Sequence, residues 1–524
     1  MKLSTFFALC QPRNFPFGIK LQNLGHQSKR VRTILSLVTL TLLVAACSLP
    51  AFPGPGATPT TTATVAAPST VDEDSTGSTP TATGQEAASM TGTITATAAM
   101  TAATIATSTT SGTTARVLLP TPQSATAETT DAVSAGETTS APVVPPADEA
   151  AARLQAPAGF VVRIFASDLS GPRLMTVGPD GILYVAERGA NRVIRLPDAN
   201  HDGLADEVQV VATGLMGAHS VEWFDGWLYV AANSRVVRLR DENNDGEFET
   251  PEVVTDNIPS GGVHSTRTLH FSPDGKLYVA AGSSSNNNPE SDPRRAAIMR
   301  FNPDGSIPED NPYANDTNPQ RRPVWAEGLR NSVDFLFLPD GRLWADHNGV
   351  DGLGDDVPPE EIVINVEKGK HYGWPYCYTP TLGVTPPGTN EVRDERVPLD
   401  PNILANCSAA TPALFTDLAH QAPLGMTQYN ADAFPAAYQG NLFVAYHGSW
   451  NSSVPRDCKV QMVVVRDGEP VSSEPFLTGF RDNDQQTCNQ AWGRPAGVTV
   501  GAAGELYVSD DENGNIYRIV YVGE

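Results

Sequence analysis

Along the C-terminal two-thirds of the chain, apolar residues arrive in short bursts, each introduced by a polar turn that ends in glycine. Residues 261–280 hold one instance, in which Pro273-Asp274-Gly275-Lys276 leads into Leu277-Tyr278-Val279. The unit returns as Pro179-Asp180-Gly181-Ile182-Leu183-Tyr184-Val185, Asp225-Gly226-Trp227-Leu228-Tyr229-Val230 and Pro339-Asp340-Gly341-Arg342-Leu343-Trp344. Gln439-Gly440-Asn441-Leu442-Phe443-Val444 and Ala503-Gly504-Glu505-Leu506-Tyr507-Val508 bring the count to six. Several copies are followed by a second strand-like run, at Arg192 to Leu196, Arg235 to Leu239, Val460 to Val465 and Ile516 to Val520. Glycine supplies the positive φ that such a hairpin turn needs. A spacing of roughly 45 residues in the earlier copies gives one small antiparallel sheet per repeat, which buries its faces only by stacking on its neighbours. Radial stacking closes a ring and removes free sheet edges. The pattern predicts an all-β fold, a six-bladed β-propeller over residues 154–524, with larger insertions in the later blades. Coincidental turns in a β-sandwich would not keep six copies in phase. The alternating strand Gly159 to Phe165 is expected to close the ring beside Ile516 to Val522.

The N-terminus follows another pattern. Lys29-Arg30-Val31-Arg32 precedes the apolar run Ile34 to Ala46, which ends in Leu43-Val44-Ala45-Ala46-Cys47. This run is similar to a bacterial lipobox, so residues 1–47 read as a lipoprotein signal peptide with Cys47 as the lipidated residue. An ordinary secretory signal containing a cysteine is the alternative, and in either case the segment is a leader rather than fold. Lipidation would anchor the protein outside the cytoplasm, to the bacterial cell membrane or envelope, without spanning it. Residues 48–153 are rich in Thr, Ala, Ser and Pro and nearly lack aromatics. Such a stretch buries too little apolar surface to order itself, and predicts a disordered linker. A flexible coil of that length reaches about 50–60 Å, enough to hold a domain off a membrane.

Charge and cysteine content narrow the classes. A formal net charge of -24 argues against a nucleic-acid partner, which demands clustered Lys and Arg. Of the six cysteines, Cys10 and Cys47 lie in the leader and four in the propeller. In an exported domain these four predict two disulfides, with Cys377–Cys407 and Cys458–Cys488 placed first among three connectivities. No Cys-x-x-Cys-His run offers a covalent haem site.

Two acidic loops match D-x-N-x-D-G: Asp198, Asn200 and Asp202 before Gly203, and Asp241, Asn243 and Asp245 before Gly246. Alternate oxygens in such a loop can converge on calcium, with a carboxylate at the twelfth position. That position is Gln209 in the first loop and Glu252 in the second, so the second is the better candidate. A plain Asx-rich turn explains both equally well.

The chemistry centres on His264, with Arg267 nearby. A histidine near neutrality can take a hydroxyl proton, and an arginine can stabilise a developing oxyanion. Further along lie Gly328-Leu329-Arg330-Asn331, Asn348-Gly349-Val350, the acidic run 354–361, Tyr372-Gly373-Trp374-Pro375, His447-Gly448-Ser449-Trp450-Asn451 and Gly493-Arg494-Pro495. With these motifs, residues 155–524 resemble the glucose/sorbosone dehydrogenases, six-bladed propellers that use pyrroloquinoline quinone (PQQ) and calcium to oxidise sugars. The 447–451 run and the paired cysteines resemble the sorbosone branch. The resemblance implies that His264 is the catalytic base and that Arg330, also catalytic, holds the cofactor together with Asn331, Asn348 and Arg494. It implies that Gly349 and Val350 bind the active-site calcium through their carbonyls, and that electrons leave to an external cytochrome or quinone. Departures from the family pattern are Ser332 and Asp334 after Arg-Asn, Ala496 in place of a second arginine, His447 and Trp450 where a lysine is expected, and the 283–286 run in place of an acidic residue. His420 and Gln421 are further pocket candidates; Tyr372 and Trp374 read as packing residues. The competing readings are a non-enzymatic binding propeller and a calcium-dependent lactonase.

Overall fold

The computed structural model describes residues 149–243, 245–449 and 451–523. The leader, Cys47 and the linker as far as residue 148 lie outside them, as does Trp450. Order reaches back to a short helix at Glu149–Arg153, a few residues earlier than the linker boundary read from composition. Ala151 and Leu154 explain the difference, because both pack into a core cluster with Phe480 and Tyr517.

Six antiparallel sheets form the predicted propeller. Blade one runs from its innermost strand Pro172–Val177 through Leu183–Glu187 and Arg192–Leu196 to Gln209–Ala212. Blades two and three begin at Ser220–Phe224 and Arg267–Phe271, and blades four and five at Phe335–Phe337 and Pro423–Gln428. Blade six takes Pro495–Val500, Leu506–Asp510 and Asn515–Tyr521, and its outer strand is Phe160–Ala166 from the other end of the chain. The register Val161↔Val520 and Ile164↔Tyr517 closes the ring where the alternating pattern placed it.

The repeated motif is the turn between the first and second strands of each blade. In blade three Gly275, at φ 75°, donates to the Ser272 carbonyl and reverses the chain into Leu277–Ala281. Each second strand lies between two neighbours and two adjacent blades, so it is apolar on both faces. Val185, Val230, Val279 and Val508 are all fully buried.

Insertion is largest in blade four, between Glu360–Val366 and Phe415–Asp417. It carries its own two-stranded pairing of Cys377–Tyr378 with Val392–Arg393, and the Cys377–Cys407 disulfide. Cys458–Cys488 is the second bridge, so the sequential connectivity is the one found.

Antiparallel order puts the starts of all innermost strands on the same face as the loops after the second strands. Residues 187–191, 282–296, 347–359, 447–449, 451–458 and 511–514 therefore crowd around one mouth of the central channel. The opposite mouth is a cavity of about 720 Å³ lined by Phe224, His270, Phe337 and Gln428.

Candidate active site

His264 stands on the loop that enters blade three. Its Nδ1 lies 2.8 Å from Ser283 Oγ, and that hydroxyl donates to the Ser285 carbonyl at 2.6 Å. With its proton already directed, Ser283 can only accept from the ring, so Nδ1 carries the hydrogen and Nε2 is left as a lone-pair base. Burial, and then the nearby Arg330 guanidinium, push the imidazole down to about 3, so it stands neutral with Nε2 unprotonated. Gly282 permits this approach. A Cβ there would come within 2.5 Å of both His264 Cβ and Asn331 Oδ1.

Arg330 is buried and held on every side. Its Nη2 meets Asp351 Oδ2 and Asn286 Oδ1 at 2.9 Å each, Nε donates to the Asn286 carbonyl at 2.9 Å, and Nη1 to the Asn348 carbonyl at 3.2 Å. Behind it, the Arg330 backbone N–H donates to His347 Nε2 at 2.9 Å, and His347 Nδ1 reaches Glu361 at 3.0 Å. Asn331 donates to Asn348 Oδ1 at 3.2 Å, while its own Oδ1 is buried without a partner. The next turn places Gly349 N–H on Glu360 at 2.7 Å. Neither the Gly349 nor the Val350 carbonyl accepts a hydrogen bond from any described residue.

Arg494 enters from blade six. Its Nε donates to the His447 carbonyl at 2.9 Å and its backbone N–H to Asp510 at 2.8 Å. No described residue receives a hydrogen bond from its terminal nitrogens. His447 Nε2 lies 2.7 Å from Asp511 Oδ1, and Asp511 Oδ2 pairs with Arg173. Burial alone would raise the Asp511 carboxyl, but His447 and Arg173 outweigh it and hold it far below the carboxylate range. Arg188 completes the arc, donating to Ser265 Oγ at 2.9 Å, one residue from His264. Arg173, Arg188, Asn191, Met216, Asn233 and Asp511 line a cavity of about 390 Å³ on this mouth.

A family model described as TrAA12-like matches residues 154–522. The chain belongs to the TrAA12-like family. It is 27% identical to a pyrroloquinoline quinone-dependent pyranose dehydrogenase of Coprinopsis cinerea, over 69% of this chain and 54% of that one. This TrAA12-like chain thus spans about half the length of that relative. A pyrroloquinoline quinone-dependent sugar dehydrogenase of Hypocrea jecorina is 25% identical, over 68% of this chain and 87% of that one. Among solved structures, the holo pyranose dehydrogenase PQQ domain of Coprinopsis cinerea superposes with a TM-score of 0.57 at 23% identity, covering 72% of this chain and 98% of that one. These relatives bear out the dehydrogenase family and the fold; none of the three is named for sorbosone.

Within this TrAA12-like site the missing cations reappear from elsewhere in the chain. Ala496 is fully buried against Val333 and Leu424 and offers nothing to the mouth. Arg173 and Arg188 supply positive charge instead, from blade one. Neither was visible in the sequence, because Arg192 stands in the same run and turns to Glu187.

Arg267 departs from its expected role. Its guanidinium is buried and donates to the carbonyls of Pro259, His264 and Thr266, so it braces the loop that carries His264 rather than facing a substrate. His420 is buried too, bonded to the Gly354 carbonyl at 2.8 Å with Asp351 at 3.7 Å. Gln421 turns to the Leu418 carbonyl at 3.2 Å. Tyr372 and Trp374 are packing residues, and the Trp374 indole donates to the Asn286 carbonyl at 3.0 Å.

Both acidic loops close as Asx turns. Asp198 and Asp241 each accept from two backbone N–H groups of their own loop, and Asn200, Asp202, Asn243 and Asp245 each accept one. The twelfth-position residues face away. Gln209 meets Arg195, and Glu252 meets Arg238 at 3.1 Å. No cluster of three His, Cys, Asp or Glu side chains poised for a metal exists among the described residues.

Proposed function

We propose that this chain is a PQQ- and calcium-dependent oxidoreductase acting on a sugar or sugar aldehyde. The observation that carries the reading is the meeting of a neutral His264, with an open Nε2, and a group of arginines and amides at one channel mouth. The donor set fits a flat trianion: Arg494 has terminal nitrogens to offer, and Arg188 has a buried Nε without a partner. The Gly349 and Val350 carbonyls, which accept from no described residue, would suit calcium. When bound, PQQ supplies two-electron acceptor chemistry that no amino-acid side chain has.

His264 Nε2 takes the proton from the substrate hydroxyl, while Ser283 fixes its tautomer. Arg330, clamped by Asp351 and Asn286, contributes a fixed positive field beside that base. Arg494 and Arg188 orient carboxylates by charge-assisted hydrogen bonds. Asp511, through Arg173 and His447, offsets part of the positive charge.

The full chain, supplied with PQQ and calcium, is assayed for dye reduction on a panel of aldoses and aldehydes. Sugar-dependent turnover supports the reading. Lactone hydrolysis without PQQ would favour a lactonase, and absence of any turnover or cofactor spectrum a binding propeller. We further propose that Cys47 carries a lipid that tethers the domain outside the cytoplasm, and that a separate cytochrome or quinone takes the electrons. Labelled palmitate incorporated by the wild type but not by Cys47→Ala supports the tether.

A further inference from the structure

A third cavity, of about 240 Å³, opens on the flank of blades three and four. Its volume is just below the roughly 300–1,000 Å³ of drug-sized ligand pockets, the scale of one ring rather than of a cofactor. Its charged groups are already engaged with one another or with backbone. Arg321 pairs with Glu327 at 2.9 Å, Arg295 donates to the carbonyls of Ser260 and Gly261, and Glu290 accepts from Ser284 Oγ at 2.8 Å. These two arginines and two glutamates carry no net charge to recruit an ion.

What remains is neutral. His371 is nearly buried; its Nδ1 accepts from the Gly373 N–H at 3.1 Å, so Nε2 carries the proton, and no described residue receives it. Burial pushes this imidazole down to about 4, so it stays uncharged. Asn318 uses its oxygen on the Gln320 N–H, which leaves its amide N–H₂ as a donor. Asn402 uses its Nδ2 on Asp400, which leaves its oxygen as an acceptor. Pro375, Tyr376 and Ile403 add apolar surface. Donors, an acceptor and an apolar wall without net charge match a polyhydroxylated ring with a hydrocarbon face. Gly328 makes room for the histidine, since a Cβ there would lie 2.5 Å from the His371 ring.

The cavity shares a wall with the proposed active site. Trp374 lines it, and Trp374 Nε1 and Arg330 Nε both donate to the one Asn286 carbonyl. We infer that the cavity is a subsite for one neutral pyranose ring of an oligosaccharide whose reacting end is oxidised at the channel mouth. This rests on the sugar-oxidising reading above.

The test uses the full chain loaded with PQQ and calcium, and compares glucose with maltose, maltotriose, cellobiose and cellotriose. The expected result is a KM for at least one oligosaccharide about tenfold below that for glucose. Asn402→Trp, which fills the cavity from its rim, should return that KM to the glucose value and leave glucose kinetics unchanged. If the tryptophan variant melts early, Asn318→Ala serves in its place. Equal KM values across the series, or equal losses on glucose and oligosaccharide, overturn the subsite and leave the dehydrogenase standing. Should nothing be oxidised, calorimetry with the same oligosaccharides decides. Binding lost in Asn402→Trp supports the subsite while the oxidoreductase reading fails, and absence of binding overturns the subsite.

Discussion

Ser283 determines which nitrogen of His264 bears the proton. Its hydroxyl lies 2.8 Å from Nδ1 and donates to the Ser285 carbonyl, so the imidazole must donate to it. A base in the wrong tautomer would present N–H to the substrate hydroxyl and could not accept from it. His264→Ala should lower kcat by about 10²–10⁴, the usual contribution of a positioned base, with PQQ binding retained. Ser283→Ala should lower kcat roughly tenfold, the worth of one hydrogen bond of about 1.4 kcal/mol, with KM nearly unchanged. Steady-state kinetics check both. A Ser283→Ala enzyme at full kcat would refute the tautomer argument.

Two histidines on opposite mouths of the channel should titrate in opposite senses. Burial and Arg330 push His264 down to about 3. As pH falls from about 6.5 towards 3, the unfolded chain takes up a proton that folded His264 refuses, so this residue withdraws stability on the acid side. His270 lies 2.8 Å from Glu222 and 2.8 Å from Asp334. Burial would lower it, but the two carboxylates prevail and raise it to about 10. Its contribution is fully present below about 6.5 and is lost as pH rises towards 10. NMR titration of the cofactor-free protein should find the His264 ring neutral at pH 5 and the His270 ring charged at pH 8. Urea melts should show that His264→Gln flattens the acid limb of stability and His270→Gln the alkaline limb.

The propeller was legible because its signal is redundant: six glycine turns, each before an apolar run, and an alternating N-terminal strand with one place left to pair. His264, Arg330, Asn331 and Asn348 could also be read, since short motifs keep them near blade boundaries. Arg173, Arg188, Asp511 and Asn286 could not. Arg173 and Arg188 come from blade one, Asn286 from blade three and Asp511 from blade six, and they meet only because the ring closes; an arginine at a strand end looks the same in sequence whether it faces the mouth or solvent. Arg267 misled for a related reason. A guanidinium beside a candidate base is indistinguishable in sequence from one that braces its loop through three carbonyls.

Cofactor affinity should follow Arg494, which the sequence flagged, and Arg188, which it did not. A hydrogen bond to a charged group contributes about 1.5–3 kcal/mol, so Arg188→Ala and Arg494→Ala should each weaken PQQ binding roughly 10- to 100-fold. Asp511→Asn should act oppositely on affinity, because it removes a carboxylate that now holds Arg173 and His447. The same change breaks a buried ion pair and should lower stability by about 3–5 kcal/mol. Fluorescence titration with PQQ and urea unfolding separate the two effects. Weaker PQQ binding in Asp511→Asn would mean that Asp511 positions the arginine rather than competing for it.

The two disulfides offer an internal control. Each joins cysteines 30 residues apart, so loop-closure entropy assigns each about 3–4 kcal/mol. Their positions differ. Cys458–Cys488 links the two segments that carry His447 and Arg494, and it packs so closely under Gly448 that a Cβ there would lie 2.0 Å from Cys488 Sγ. Cys377–Cys407 instead staples the blade-four insertion, beside Tyr376 and Leu404. Replacing either pair with alanines should cost similar stability in urea. Only the Cys458→Ala/Cys488→Ala protein should also bind PQQ more weakly, because its loops no longer hold Arg494 against the His447 carbonyl. Equal cofactor affinity in the two double variants would show that blade six positions Arg494 through Asp510 alone, and that the second bridge serves stability and nothing more.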